Sequence, residues 1–169
     1  DPYEIQNETS EKFDSFVVTT LTLRKKNHSE QRTIYHAHYV KWPDHGIPSN
    51  TKDALLFLET VEYYRQLSKT NAPVLLHCSA GIGRTGTFCA IDIGIKRFLE
   101  NKTIDIPSTV LKMRTERAGS VQTEDQYFFA YLALMDYLKQ REALHESIYE
   151  PRKSSDIDHI NVRLSFHTL

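Results

Sequence analysis

The string His77-Cys78-Ser79-Ala80-Gly81-Ile82-Gly83-Arg84-Thr85-Gly86 carries the residue types needed for chemistry on an anion. A cysteine is followed six positions later by an arginine, with glycines at 81 and 83 between them. The string joins a short apolar run, residues 73–77, to a segment with helical periodicity, so it is expected to be a loop that feeds a helix N-terminus. Free backbone N–H groups and the positive end of the helix dipole converge at such a place and favour a bound anion. Glycines allow successive N–H groups to turn toward one oxyanion, and Arg84 can close the ring as a fork on two phosphate oxygens. The same field stabilises a thiolate. A cysteine at a helix N-terminus can have its pKa lowered from about 8.5 into the range of roughly 3.5–7.5. Cys78 is the candidate nucleophile, and Ser79, Ala80, Gly81, Ile82, Gly83 and Arg84 are the candidate cradle.

A competing pattern lies inside the string. Gly81-Ile82-Gly83-Arg84-Thr85-Gly86 fits the G-x-G-x-x-G of dinucleotide-binding turns, and acidic residues follow at Glu100 and Asp105. A dinucleotide turn needs its first glycine close to the strand end, whereas His77, Cys78, Ser79 and Ala80 intervene here. It also needs no bulky charged side chain where the pyrophosphate would lie, and Arg84 stands there. A Walker-type loop fails because no Lys-Ser/Thr pair follows the glycines. Cys89, flanked by Phe88 and Ala90 in the helical segment, reads as an inert core thiol.

A thiolate that displaces an ester oxygen from phosphorus needs that oxygen protonated, which a carboxylic acid on a loop can do. Asp44, in Trp42-Pro43-Asp44-His45-Gly46-Ile47-Pro48, has this setting, with Trp42 as an apolar anchor. A plain turn also favours Pro-Asp-x-Gly, and on these residues alone the two readings stand even. Arg114 and Arg117 fit either contacts to a phosphate or a solvated basic helix end. His77 fits either a hydrogen-bonded brace for the loop or strand packing. His36 and His38, two apart on one strand face with no further ligand pattern, read as packing rather than as metal ligands.

The elements that must position these residues follow from pattern. Residues 1–12 are polar and read as a loop. Residues 16–23 and 32–42 are rich in β-branched and aromatic residues and predict an antiparallel hairpin. Ala54, Phe57, Leu58, Val61 and Tyr64 form a helical stripe, with Ser49 or Thr51 able to cap it. Residues 73–77 read as a buried central strand. A second helix is expected from Thr85 to about Glu100, with Phe88, Ile91, Ile95 and Phe98 on one face. A shorter one is expected over residues 108–114. Thr123-x-x-Gln126 is a capping box opening a last helix with the stripe Tyr127, Ala130, Tyr131, Leu134 and Leu138. From Arg141 the periodicity fades. Residues 149–169 are polar without an organised core stripe, and residues 141–169 are expected to be a flexible tail. The fold class expected is α/β: a central mixed sheet flanked by helices, with the anion loop between a buried strand and a helix N-terminus.

Composition bounds the rest. At 169 residues, 40% apolar and 25% charged, the chain is an ordinary globular one, long enough to bury a core. Its 21 basic and 22 acidic residues give a net charge of −1, which points to neither nucleic acid nor an anionic membrane. Its longest apolar runs are too short to span a bilayer. Two cysteines are too few for a disulfide scaffold or an all-cysteine zinc site. A reducing, cytoplasmic location is the expectation, although the chain opens Asp1-Pro2-Tyr3 with neither an initiator Met nor a signal-like segment.

The pieces Trp42-Pro43-Asp44, His77-Cys78 followed after five residues by Arg84-Thr85, and Gln122-x-x-x-Gln126 resemble the tyrosine-specific protein phosphatases, in that family's order and at closely similar spacing. The strings WPDHGIP and HCSAGIGRTG are highly specific, and the resemblance covers about residues 14–140. It implies a phosphoric monoester hydrolase acting on phosphotyrosine in proteins through a cysteinyl-phosphate, without metal or cofactor. Cys78 matches the nucleophile and Arg84 the residue that holds the equatorial oxygens. Asp44 matches the acid that becomes the base of the second step. Gln122 matches the group that positions water, Gln126 a helper at the same water, and Thr85 the hydroxyl that bonds the departing thiolate. Trp42, Pro43 and Gly46 match residues of a loop that closes over bound phosphate.

The family's domain is longer and begins before this chain does. The loop whose aromatic residue stacks on phosphotyrosine has no counterpart in residues 1–169, so residues 1–140 are expected to be a partial catalytic domain, poorly stable alone and with exposed sheet edges. Three readings follow: a fragment of an active tyrosine phosphatase, a truncated module that binds phosphotyrosine or traps substrate without turnover, or a phosphatase of broader specificity with a shallow pocket. Retention of Cys78, Arg84 and Asp44 together favours an enzyme. Neither the substrate protein nor the oligomeric state is legible.

Overall fold

The structure, a computed structural model, describes residues 2–149 except positions 45 and 71, with backbone alone for residues 143–149. Three strands come first, β1 (Tyr3–Lys12), β2 (Phe16–Lys25) and β3 (Gln31–Tyr39). Four helices follow, α1 (Thr51–Leu67), α2 (Gly83–Asn101), α3 (Ile106–Glu116) and α4 (Glu124–Tyr149). The α/β class holds. Among the described residues the sheet is antiparallel throughout, in the order β1-β2-β3, rather than mixed.

The hairpin forms as its pattern dictates. Phe16 pairs with Tyr39 and Arg24 with Gln31, and Phe16 and Val18 point into the core. On β3, Tyr35, Ala37 and Tyr39 are partly buried, while His36 and His38 lie on the solvent face with rings 6.0 Å apart. The expectation that these histidines pack is therefore corrected. The polar stretch expected as a loop is also a strand. β1 pairs with β2 from Tyr3 opposite Lys25 to Lys12 opposite Val17, with one register shift between Asn7 and Thr9. All ten of its residues are exposed, so no apolar alternation marks it. Its ladder and cross-strand pairs such as Glu4 opposite Arg24 hold it in place.

Residues 73–77 depart furthest from expectation. They join no ladder among the described residues, and Leu75 is 89% exposed. Their composition suits a strand, but a strand needs neighbours for its backbone groups, and β1–β3 pair only with one another.

The helices pack around one core. Of the α1 stripe, Ala54, Phe57 and Leu58 are buried and Val61 and Tyr64 partly buried, and Phe57 meets Phe16 at 5.0 Å and Phe88 of α2 at 5.7 Å between ring centroids. Asn50, rather than Ser49 or Thr51, caps α1, its Oδ1 accepting from Asp53 N at 2.9 Å. Asp53 in turn accepts from the Ser15 hydroxyl, a bond that holds its carboxyl below the usual range and ties α1 to the hairpin. The Ser15 carbonyl accepts from Val40 N at 2.9 Å and Lys41 N at 3.2 Å, fixing where the chain leaves β3 for Trp42. The buried face of α4 is Gln126, Phe129, Ala130, Ala133 and Leu134, rotated slightly from the expected stripe. The helix runs to Tyr149, past the point where its periodicity fades. The tail expected to be flexible otherwise lies outside the described residues. Among them, no helix is long and apolar enough to cross a membrane.

Candidate active site

Three helices begin with contrasting chemistry. Side chains cap α1 (Asn50) and α3, where Asp105 Oδ1 accepts from Ser108 N at 2.9 Å. The start of α2 has Ile82 at its cap position, no side-chain cap and no acidic residue in its first turn. A helix N-terminus left without a carboxylate or amide oxygen keeps its N–H groups for another anion. The loop that enters it turns at Gly81, whose φ of +71° lies in the left-handed region. A Cβ there would also sit 2.7 Å from the Arg117 guanidinium.

The anion nearest to hand is Cys78 itself. Gly81 N donates to its Sγ at 3.2 Å. Partial burial works against the thiolate. The Thr85 hydroxyl and the N–H groups of Thr85, Gly81 and Ile82 outweigh it, and the pKa falls from the ordinary 9.0 to about 7. Thr85 Oγ1 is buried and has no partner at conventional geometry, so its contact with Sγ is looser than an ordinary hydrogen bond, which a diffuse sulfur anion tolerates. Cys89 goes the other way: burial and then Asp92 push its thiol up, and it stays inert. Iodoacetamide should therefore modify Cys78 with a pH midpoint near 7 and leave Cys89 largely unmodified below pH 8, read by peptide mass spectrometry. A Cys78 midpoint near that of free cysteine, about 8.5, would show that the loop gives the thiolate no help. Because the folded pKa is the lower one, this thiolate adds stability at high pH that is lost as pH falls through about 7.

The acid loop closes on the cradle. Trp42 is buried against Tyr39 and Phe129, and its indole Nε1 donates to Gly46 O at 3.1 Å, which draws the two ends of the acid loop together. Arg84 reaches across. Its Nη1 donates to Trp42 O at 3.2 Å, its Nη2 donates to Ser79 Oγ at 2.8 Å, and Nη2 also pairs with the Asp44 carboxylate. Ser79 Oγ lies 3.5 Å from the same carboxylate oxygen. Asp44 is thus more than a turn residue: its carboxylate sits on the cation expected to hold phosphate. It remains 70% exposed, against 24% for Arg84, so the pair can open at little cost.

A back wall supports the loop. Val121 N donates to Ile82 O at 3.0 Å, and Arg114 clasps the two carbonyls before Gln122, its Nε on Ser120 O and its Nη2 on Val121 O, each at 2.9 Å. The clasp holds buried Val121 at a φ of +60°, costly for a β-branched residue. The Gln122 amide is thereby brought over the cradle, its Oε1 2.9 Å from where a Cβ on Gly83 would lie. Gln126 is wholly buried. Its Oε1 accepts from Gln122 N at 3.0 Å and Thr123 N at 3.4 Å, Thr123 Oγ1 accepts from Gln126 N at 3.2 Å, and its Nε2 donates to Gly46 O at 3.4 Å. The capping box is present and also links α4 to the acid loop. The polar atoms of Gln126 are engaged with backbone, which gives it the geometry of a brace between α4 and the acid loop.

Gly86 is where α2 meets this wall. A Cβ there would lie 2.4 Å from Val121 N and 3.2 Å from Ser120 Cα, both backbone. Alanine would gain about 1 kcal/mol of helix propensity, yet overpacking against backbone costs about 1–3 kcal/mol or more. Gly86→Ala should therefore lower the urea midpoint and reduce activity together. An unchanged or raised midpoint would show that the wall can move.

A shallow, open cavity of about 250 Å3 lies beside the sulfur, lined by Leu76, His77, Cys78, Ser79, Ala80, Gly81, Thr85 and Arg117. Arg117 is exposed, and its Nη2 donates to Ala80 O at 3.3 Å, so this arginine braces the cradle at the cavity's edge. Cys78, Thr85, Arg84, Asp44 and Gln122 stand around the start of α2. Arg84 is turned to Asp44, Trp42 and Ser79, outside the cavity lining. The load placed on Arg114 was not legible; an arginine near a helix end is too common a signal.

Comparison with known proteins gives the family. The family model described as protein-tyrosine phosphatase matches residues 1–136. The human tyrosine-protein phosphatase non-receptor type 9 is 36% identical over 141 residues, covering 77% of this chain and 24% of that protein. Protein-tyrosine-phosphatase PTP1 of Arabidopsis thaliana is 41% identical over 129 residues, covering 72% of this chain and 37% of that protein. The receptor-type tyrosine-protein phosphatase eta of Gallus gallus is 40% identical over 122 residues. The chain spans between a quarter and a little over a third of the length of the first two relatives. With an uncapped helix start, a stabilised thiolate and a family match over most of its length, the chain belongs to the protein-tyrosine phosphatase family.

Proposed function

We propose that this chain carries the phosphate-handling half of a protein tyrosine phosphatase and hydrolyses phosphotyrosine in proteins in two steps. In the first, the Cys78 thiolate attacks phosphorus, the P–O bond to tyrosine breaks, and Asp44 gives its proton to the departing oxygen. In the second, Asp44, now a carboxylate, takes a proton from water held by Gln122. The water oxygen bonds to phosphorus, the P–S bond breaks, and the thiolate leaves with the help of Thr85. Arg84 and the N–H groups of the cradle hold the equatorial oxygens throughout. Phosphoryl transfer passes through a loose transition state, so positioning and charge carry most of the rate.

The observation that carries this reading is the meeting, at one uncapped helix start, of a thiolate with a pKa near 7, a guanidinium and a carboxylate on a separate loop. The test is to incubate the full chain with a phosphotyrosine peptide and quench in acid. Released inorganic phosphate, together with phosphate trapped on the peptide containing Cys78, supports it. Tight binding of the peptide with neither product would replace it with a phosphotyrosine-binding module. Equal turnover of phosphoserine and phosphotyrosine peptides would replace it with a phosphatase of broader specificity.

A further inference from the structure

Asp44 can serve as an acid only if its loop is presented to the cradle in one place, and that loop leaves β3 and enters α1 through two separate stems. One residue holds both. Ser15, in the turn between β1 and β2, is buried. Its carbonyl takes the two amides of the strand-side stem, Val40 N at 2.9 Å and Lys41 N at 3.2 Å. Its hydroxyl donates to the Asp53 carboxylate in the first turn of α1. The same carboxylate oxygen accepts from Asn50 Nδ2 at 3.3 Å, and Asp53 N donates to Asn50 Oδ1, so the link extends to the residue that caps the helix. Lys41 and Lys52 add attraction to this carboxylate. The phenol of Tyr39, the last residue of β3, is pushed up to about 12 by burial and then by the charge on Asp53, so it stays neutral beside it.

Ser15 is itself held in place. Phe13 N donates to Phe16 O at 2.9 Å, and the Phe13 and Phe16 rings stack at 4.3 Å, with Phe16 in the core. The contacts within the loop do not set the spacing of its stems. Trp42 Nε1 and Gly46 O both lie between them, and the pair of Asp44 with Arg84 leaves Asp44 largely exposed. A buried hydroxyl on a carboxylate makes a charge-assisted bond, among the stronger kinds. We propose that Ser15 is a positioning residue for the acid step: it ties residues 40–41 to Asp53 and so sets the span from which Asp44 is presented to Arg84 and Cys78. Without the hydroxyl, the strand-side stem keeps its bonds, since they go to the Ser15 carbonyl, while the start of α1 is released. Asp44 then spreads over more positions, and proton delivery to a departing oxygen depends steeply on distance. The proposal rests on the reading of Asp44 as the acid, so one arm of its test reads the loop without turnover.

In the full chain, Ser15→Ala should lower kcat/KM for a phosphotyrosine peptide by roughly 10–100-fold, the scale of a small misplacement of a reacting group. For an aryl phosphate whose phenol is strongly acidic and needs little protonation, the loss should stay under about threefold. Asp53→Ala, at a partly exposed carboxylate, reaches the same bond from its other end and should show the same split between substrates. The double variant should be no worse than either single one, because both remove one interaction. The Cys78 alkylation midpoint should stay near 7 in all three, since Ser15 and Asp53 do not touch the cradle. Trp42, the chain's one tryptophan, reports on the loop directly: its quenching by acrylamide should rise at least about twofold in Ser15→Ala as the loop opens locally. Equal losses for both substrates, additive losses in the double variant, or unchanged quenching overturns the proposal. If the unaltered chain hydrolyses neither substrate, the phosphatase reading fails, and the quenching of Trp42 alone decides for or against Ser15.

Discussion

Cys78→Ser should lower phosphotyrosine hydrolysis by roughly 10⁴–10⁶-fold, the scale on which loss of a catalytic nucleophile is felt. The donors around Sγ do their work on a thiolate whose pKa has come down to about 7. A serine hydroxyl in the same place starts far above that, and the same few N–H groups cannot bring it within reach of neutral pH. Oxygen is also a poorer leaving group in the second step, so residual phosphoryl transfer should stall. Serine is nearly isosteric and Cys78 is only partly buried, so the thermal midpoint should hardly move. That control separates lost chemistry from lost fold. Activity within tenfold of the unaltered chain would remove Cys78 from the mechanism. In the unaltered chain, kcat/KM should rise with pH through about 7 as the thiolate forms, matching the alkylation midpoint. A mismatch between the two midpoints would mean that another group sets the acid limb.

The candidate site is written more locally in the sequence than the fold is, for a physical reason. Cys78, Arg84 and Thr85 are close in sequence, so a loop and one helix start fix their relation, and a motif can record it. Asp44 and Gln122 come from distant segments, but each sits in a string with its own signature. Long-range backbone relations leave no such trace. β1 hides because all ten residues face solvent and only its ladder makes it a strand. Residues 73–77 mislead in the opposite sense, since β propensity describes a fit to neighbours and none among the described residues is paired with them. Gln126 and Arg114 were hard to place for a related reason. Polar side chains that satisfy buried carbonyls and N–H groups look, in sequence, like side chains waiting for a ligand.

Asp44→Asn should separate two things that one carboxylate does. As proton donor to the tyrosine oxygen, its loss should lower kcat by roughly 10²–10⁴-fold. As the partner of Arg84, its loss should free the guanidinium for phosphate and lower KM. The second effect is bounded, because Asp44 is mostly exposed. An ion pair of this kind is worth about 0–1 kcal/mol, so KM should fall by no more than about fivefold. The two effects can be told apart with a pair of substrates. An aryl phosphate whose phenol is strongly acidic needs little protonation on leaving, so the kcat loss should shrink sharply for it, while the change in KM should persist. If Asp44 merely shaped the turn between Pro43 and Gly46, asparagine would serve nearly as well. Both substrates would then be affected alike and slightly, and the acid would have to be sought elsewhere on the cradle's rim. A KM that rises instead would mean that the pair with Arg84 holds the loop over the substrate rather than competing with it.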